Sequence, residues 1–249
     1  MTLTVRQFPC LSDNYGFLVR DDASGKVACI DTPDAEAILA ELAKAGWGLD
    51  LILNTHWHPD HAGGNEALKA ATGCTVVGPA EVARIAAPDR VVAHGDHVML
   101  GDTRFDVIDT GGHTLGHVTF FDAADHIAFV GDTLFALGCG RLFEGDAAQM
   151  WASLQRITDL PDDTTVYCAH EYTAANARFA LSVDADAALK ARADSIFAAR
   201  ERGEPTVPTS IALEKATNPF LRAPLLRPDI ANPAEAFGAV RAAKDAFKG

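Results

Sequence analysis

The sequence contains no run of 18 or more apolar residues, the length a membrane-spanning helix needs. Its first residues, MTLTVRQFPCLSDNY, lack the basic start and long apolar stretch of a secretory signal, so a cytoplasmic protein is expected. Cysteine is sparse: Cys10, Cys29, Cys74, Cys139 and Cys168 are odd in number, scattered, and form no CxxC pair. Such a pattern gives neither a disulfide framework nor a thiolate zinc site, and fits reduced thiols. Positive charge is scarce too. The net charge of −13 repels phosphate backbones, so no nucleic-acid partner is expected, and without a long apolar run no membrane either. Internal repeats and low-complexity tracts are also missing.

With 249 residues, 48% of them hydrophobic, the chain can bury a large core. Alternating or apolar runs predict strands at Thr2 to Phe8, Gly16 to Arg20 and Val27 to Asp31, an antiparallel meander. Helical spacing follows at Asp34 to Ala45, then a strand at Leu51 to Leu53 and a helix at Asn65 to Ala71. Further strands are expected near residues 75–77, 98–100, 104–108, 118–121, 127–130 and 165–168, with a helix at Ala148 to Ile157. Beyond about residue 170 the pattern turns mostly helical: Thr173 to Ser182, Asp186 to Arg202, and a last helix capped by Asn232 with Pro233 and Glu235 behind it. Strands that outnumber interspersed helices predict packed sheets with helices outside, an α+β fold. The charge divides unevenly along the same line. Residues 211–249 hold six Lys or Arg against four Asp or Glu, a balance of +2, which leaves −15 for residues 1–210.

The polar residues that carry chemistry follow predicted strands. Thr55-His56-Trp57-His58-Pro59-Asp60-His61 places four potential ligands within six residues; His113 lies in Gly111-Gly112-His113-Thr114-Leu115-Gly116-His117, Asp132 in Gly131-Asp132-Thr133, and His170 in Ala169-His170-Glu171-Tyr172. Residues i and i+2 of an extended segment face one side, so His56 and His58 can share one metal ion. Asp60 and His61 begin the turn into the next helix and face a second one. So many ionisable groups packed together are costly to desolvate without a cation. Imidazoles with carboxylates are the usual ligands of a borderline metal such as zinc, and iron and manganese accept them as well. Isolated histidines such as His94, His97 and His126 carry no such signal.

The order and spacing of Thr55-His56-x-His58-x-Asp60-His61, Gly63-Gly64-Asn65, Gly112-His113-Thr114-x-Gly116-His117, Gly131-Asp132-Thr133 and His170 resemble the signature of the metallo-β-lactamase superfamily. Within it, Ser12-Asp13-Asn14-Tyr15, Gly138-Cys139-Gly140-Arg141-Leu142-Phe143-Glu144-Gly145, His170-Glu171-Tyr172-Thr173, Asn218-Pro219-Phe220-Leu221-Arg222 and the ending Arg241-Ala242-Ala243-Lys244-Asp245-Ala246-Phe247 are similar to the glyoxalase II family. The resemblance implies an αββα sandwich, a catalytic domain over residues 1–169, followed by a small helical substrate-binding domain over 170–249. It implies two divalent metal ions, His56, His58 and His113 on one, Asp60, His61 and His170 on the other, and Asp132 bridging. It further implies a thioesterase that releases glutathione and D-lactate from S-D-lactoylglutathione in methylglyoxal detoxification; a monomer is expected. Hydroxide generated at the metal ions would be the nucleophile, oriented by Asp60, with Asp132 setting the metal separation. Arg141, Tyr172, Arg241 and Lys244 take the places of the family's glutathione-binding residues.

A stripe of Arg241, Lys244 and Lys248 on one face of the last helix would otherwise read as a solvated surface. Three positions depart from the family: Arg141 where some relatives have Lys, Phe143 where they have Tyr, and Asp146 where Thr is common. Cys139 and Cys168 read as small buried hydrophobes rather than nucleophiles. Other readings of the ligand set remain open: a two-metal hydrolase of lactones, β-lactams or other thioesters, a mononuclear iron dioxygenase acting on glutathione persulfide, and a non-catalytic metal-stabilised binding module.

Overall fold

The computed structural model describes residues 3–249; Thr2, where the first strand was expected to begin, lies outside them. Two compact units make up the chain, one running to Asp109 and including Gly116–Gly131, the other formed by Thr110–Leu115 and Asp132–Gly249.

The first unit opens with β1 (Leu3–Cys10), β2 (Asn14–Asp21) and β3 (Val27–Ile30), each antiparallel to the last, the expected meander. Then come α1 (Ala35–Ala45), β4 (Leu51–Leu53), α2 (Pro59–Ala62), α3 (Asn65–Thr72), β5 (Thr75–Gly78), a 3-10 turn at Ala80–Arg84 and β6 (Arg90–Val91). From β3 to β6 the neighbours are parallel, which the intervening helices make possible. The unit ends with β7 (His97–Leu100), β8 (Thr103–Asp109), β9 (Val118–Asp122) and β10 (Ile127–Gly131), an antiparallel series in sequence order.

Side chains alternate across β2, and this sets the layers. Leu18 packs with Ile38 and Leu42 of α1 and Leu68 of α3, while its neighbour Phe17 points the other way and meets Phe129 of β10 at 5.7 Å. Phe129 in turn touches Phe105 of β8 at 6.3 Å. Helices thus cover one face of the first sheet and β7–β10 the other. Strands β3, β9 and β10 are buried at every position, and each large apolar side chain so placed contributes about 1.5–3 kcal/mol. Helix α1 begins where Asp34 caps the amides of Glu36 and Ala37, and ends at Gly46, whose left-handed φ of 67° suits glycine.

The second unit contains the hairpin β11 (Leu134–Phe135) and β12 (Gly138–Cys139), α4 (Ala147–Thr158), β13 (Thr165–Cys168), α5 (Thr173–Val183), α6 (Ala187–Glu201), β14 (Thr209–Ser210, antiparallel to β13), α7 (Ile211–Thr217), α8 (Ala223–Leu226) and α9 (Pro233–Ala246). Leu137 packs with Ala177, Ala180, Leu189 and Ala193 between α5 and α6. A polar network fastens the hairpin. Glu214, fully buried, accepts from Leu137 N at 3.0 Å, Asn218 Nδ2 at 2.9 Å and Thr209 Oγ1 at 2.6 Å, and pairs with Arg192. Asn218 Nδ2 also donates to the carbonyls of Phe135 and Gly138. The Asn218-Pro219 segment therefore holds the hairpin from behind.

Removing one partner of a buried ion pair leaves the other uncompensated. Arg192→Ala is expected to cost about 3–5 kcal/mol, read as a lower urea midpoint at unchanged slope. A midpoint equal to that of the parent protein would mean that Glu214 is satisfied by its neutral donors alone.

Candidate functional site

In the first unit the ligand-rich segment leaves the end of β4 and is pinned by buried polar groups. Asp31, just after β3, accepts from Thr55 N at 2.7 Å and Thr55 Oγ1 at 2.8 Å, and its Oδ2 lies 2.8 Å from His61 Nδ1. Asn54 Nδ2 donates to the His61 carbonyl at 2.8 Å, and Asn65 Nδ2 donates to Asn54 Oδ1 at 2.7 Å. Pro59 starts the short α2 with His58 at its N-cap, so the chain turns at once and brings Asp60 and His61 back toward His56. The His56 and His61 rings stand 4.0 Å apart, and His117 stacks on His56 at 4.8 Å. At Gly131, with φ +49°, a Cβ would come within 2.6 Å of both His117 Nε2 and Thr55 Oγ1, so only glycine fits there.

These donors fit a metal ion. Two ligands of a tetrahedral ion with bonds of about 2.0–2.1 Å stand about 3.3–3.4 Å apart. His56 Nε2 and His58 Nδ1 are separated by 2.9 Å, and His61 Nε2 and Asp60 Oδ2 by 3.6 Å. The Asp31 carboxylate on Nδ1 fixes the His61 tautomer and presents Nε2 as the ligating atom, the carboxylate–histidine pattern of metal sites. Asn14 Nδ2 donates to Asp60 Oδ2 at 3.1 Å, so the Ser12-Asp13-Asn14-Tyr15 motif serves to orient Asp60.

The second unit carries its own donors. Gly112, at φ +140°, lies so near α4 that a Cβ would sit 2.8 Å from Met150 Cα, and this tight packing seats His113 beside it. His113 Nδ1 contacts the Arg141 carbonyl at 2.9 Å, leaving Nε2 facing Asp132 Oδ2 at 3.3 Å. Asp132 Oδ1 lies 3.3 Å from His170 Nε2, so the two carboxylate oxygens face two different imidazoles. The His170 ring stacks on Tyr172 at 4.6 Å and 3°, with Phe135 edge-on to both.

Beside His113 and Asp132, still within the second unit, opens a cavity of about 440 Å³ whose wall includes Arg141, Phe143, Tyr172, Arg241 and Lys244. The four expected substrate-binding residues thus share one cavity. Lys248 does not belong with them, because α9 stops at Ala246 and the stripe expected along it ends at Lys244. Arg241 is not a solvated residue of that stripe either: it is 5% exposed, donates to the Cys139 carbonyl at 3.0 Å, pairs with Asp245 at 2.8 Å and lies over the Phe220 ring. Lys244 Nζ donates to the Ala175 carbonyl at 3.0 Å and sits 5.3 Å from the Phe179 ring centre. Burial, with repulsion from Arg241, Arg178 and Arg141, brings its pKa down to about 8.

The thiols are silent. Burial pushes Cys139 up to about 11 and Cys168 up to about 12, leaving almost no thiolate at neutral pH. The family departures find places as well: Asp146 caps α4 by accepting from Gln149 N, as a Thr could equally do, and Phe143 lies edge-on to His113 at 5.2 Å. Sequence reasoning missed Asp31, which looks like the last residue of a strand; its one signal was an acidic residue at a strand end just before Thr32-Pro33.

The metallo-beta-lactamase superfamily matches residues 18–170, and the hydroxyacylglutathione hydrolase C-terminus matches residues 171–247. The chain is 55% identical to a hydroxyacylglutathione hydrolase of Erythrobacter litoralis over 98% of its own length and 100% of the relative's. A hydroxyacylglutathione hydrolase of Maricaulis maris is also 55% identical, with coverage of 98% and 99%. Among solved structures, ETHE1 from Myxococcus xanthus superposes with a TM-score of 0.70 at 29% identity, covering 96% of this chain and 90% of that one. These matches bear out the mixed α/β metallo-β-lactamase sandwich with a helical C-terminal region, and with the imidazole and carboxylate donors they support divalent metal binding.

Replacing Asp31 by Ala frees the His61 ring to turn and to change tautomer. Metal affinity, measured by competition with a chelator, is expected to fall about 10- to 100-fold while circular dichroism stays native. Unchanged affinity would reduce Asp31 to a strand tie.

Proposed function

The chain belongs to the hydroxyacylglutathione hydrolase family of the metallo-β-lactamase superfamily, and from that premise we propose that it cleaves S-(2-hydroxyacyl)glutathione, S-D-lactoylglutathione above all, to glutathione and the hydroxy acid. The observation that carries this reading is one cavity in the second unit with His113 and Asp132 in its wall together with Arg141, Arg241 and Lys244. Metal donors stand at the reacting end, cations where a peptide thiol with two carboxylates would lie.

The ligand set proposed is His56, His58 and His113 for one ion, Asp60, His61 and His170 for the other, and Asp132 for both. Two ions per chain are supported by the division of the Asp132 oxygens between two imidazoles, and by the two donor pairs within residues 56–61. Zinc suits these donors, as do iron and manganese. When bound, such ions acidify water to near neutrality and set positive charge against the thioester carbonyl oxygen. The chain itself fixes the donors: Asp31 and the Arg141 carbonyl hold the tautomers of His61 and His113, Tyr172 stacks on His170, and Asn14 aims Asp60. No cysteine competes as nucleophile, given the raised pKa values of Cys139 and Cys168.

On this reading residues 1–169 carry all of the proposed metal ligands but His170, and residues 170–249, which begin with it, supply most of the thiol-side recognition. The enzyme would work as a cytoplasmic monomer on a small-molecule substrate. Among the described residues no helix is long and apolar enough to cross a membrane.

The test follows thioester absorbance of S-D-lactoylglutathione with purified protein, before and after chelation, beside the His58→Ala variant. Expected is metal-dependent release of glutathione, abolished in the variant. No turnover by metal-replete protein overturns the proposal.

Lys244 adds a pH signature. An amine is charged below its pKa, so its attraction for a carboxylate is present below about pH 8 and lost as the pH rises through that value. A bound carboxylate lifts the pKa in the complex. The inhibition constant of glutathione is therefore expected to rise above pH 8, and Lys244→Gln should flatten that rise.

A further inference from the structure

Glutathione carries a carboxylate at each end of its chain, and the cations of the cavity are not equally available to them. The Arg241 fork is already engaged, one nitrogen on the Cys139 carbonyl and the other on Asp245. Arg192 on α6 and Arg222 just before α8 are likewise committed, to Glu214 and to Asp184 and Asp186. Arg178 is different. It is exposed on α5, and among the described residues no ion pair engages it.

Its position follows from helix geometry. Ala175, a residue of the cavity wall, lies three positions earlier on α5, and side chains at i and i+3 share a face. The Ala175 carbonyl accepts from Lys244 Nζ, and the same ammonium lies against the ring of Phe179, the residue next to Arg178. Lys244 is thus seated against the stretch of α5 that contains Arg178.

We propose that Arg178 is a further specificity-determining residue of this site, its guanidinium taking a carboxylate of the glutathione moiety beside the partly engaged Arg241. The inference rests on the reading of the cavity as a glutathione thioester site. A guanidinium reaches a carboxylate through two parallel hydrogen bonds, a geometry an ammonium cannot supply. The charge around Lys244 agrees: its proton is held less firmly first through burial and then through Arg241, Arg178 and Arg141, with Asp245 as the opposing charge. A cluster of like charges so weakly countered is relieved when an anion enters.

Calorimetric titration with glutathione, for the parent protein, Arg178→Gln and Arg178→Lys, tests this directly, alongside kinetics with S-D-lactoylglutathione. Arg178→Gln is expected to weaken glutathione binding and raise KM about three- to tenfold, with kcat nearly unchanged and Arg178→Lys recovering part of the loss. Glutathione diethyl ester, whose carboxylates are masked, should bind parent and variant alike. Equal glutathione affinity in parent and Arg178→Gln overturns the inference while leaving thioester hydrolysis intact. An equal loss for the diester overturns it too, since it would show a general structural effect. Absence of turnover combined with Arg178-dependent glutathione binding would instead sink the hydrolase reading and keep this one. A parent protein that binds no glutathione overturns both.

Discussion

The carboxylate of Asp31 is the constraint on which the first unit's site depends. It is buried, on a residue held at a left-handed φ of 56°, and a buried anion is stable only with donors around it. Thr55 supplies two and the His61 ring contributes Nδ1, so one side chain joins the end of β3 to the end of β4 and to α2. Aspartate tolerates the left-handed region better than most residues, and the cost of about 1 kcal/mol or more is offset by these bonds. The His61 tautomer and the start of the ligand-rich segment follow from that arrangement. Thr32, Asn54 and Asn65 extend it, bonding to one another or to the His61 carbonyl, so each residue that could turn is held by a neighbour that cannot.

The second unit reaches a similar rigidity by other means. A backbone carbonyl orients His113, and an aromatic stack orients His170. The carbonyl belongs to Arg141, two residues beyond β12, so the His113 ring and a cation of the cavity are placed by one hairpin. Glu214 and Asn218 brace that hairpin by accepting from Leu137 N and donating to the Phe135 and Gly138 carbonyls. The Asn218-Pro219-Phe220 segment, remote in sequence from every ligand, thereby has a physical role, and Phe220 adds the ring over which Arg241 lies.

Much of this architecture is legible in the sequence, and the parts that are not share a cause. Long periodic segments such as Ala35–Ala45 and Ala147–Thr158 fall where helical spacing places them, because their burial pattern is local. The hairpin β11–β12, strand β14 and helices α7 and α8 escape, being only two to seven residues long, too short for a period to register. The cluster from His56 to His61 is dense enough for spacing to expose it, whereas His113, Asp132 and His170 are legible only through the family resemblance. The residues expected to hold the substrate, 141, 172, 241 and 244, are scattered. Arg241 shows the limit best: on a helical wheel it belongs to a basic, solvated stripe, yet its partner is the carbonyl of Cys139, 102 residues earlier. A wheel carries no information about such a contact.

The charge distribution bears on how a glutathione thioester is recognised. A chain of net charge −13 repels anions at a distance, but surface charges are screened beyond about 8–10 Å at physiological ionic strength. Within that range Lys244, in the cavity wall, feels Arg241, Arg178 and Arg141, with Asp245 opposing them. Long-range steering therefore gives little help, and affinity for a small dicarboxylate has to come from short, directional bonds. Directional bonds need donors that are both charged and unengaged. With Lys244 holding its proton loosely and two nitrogens of the Arg241 fork already in use, that requirement points to the exposed guanidinium of Arg178.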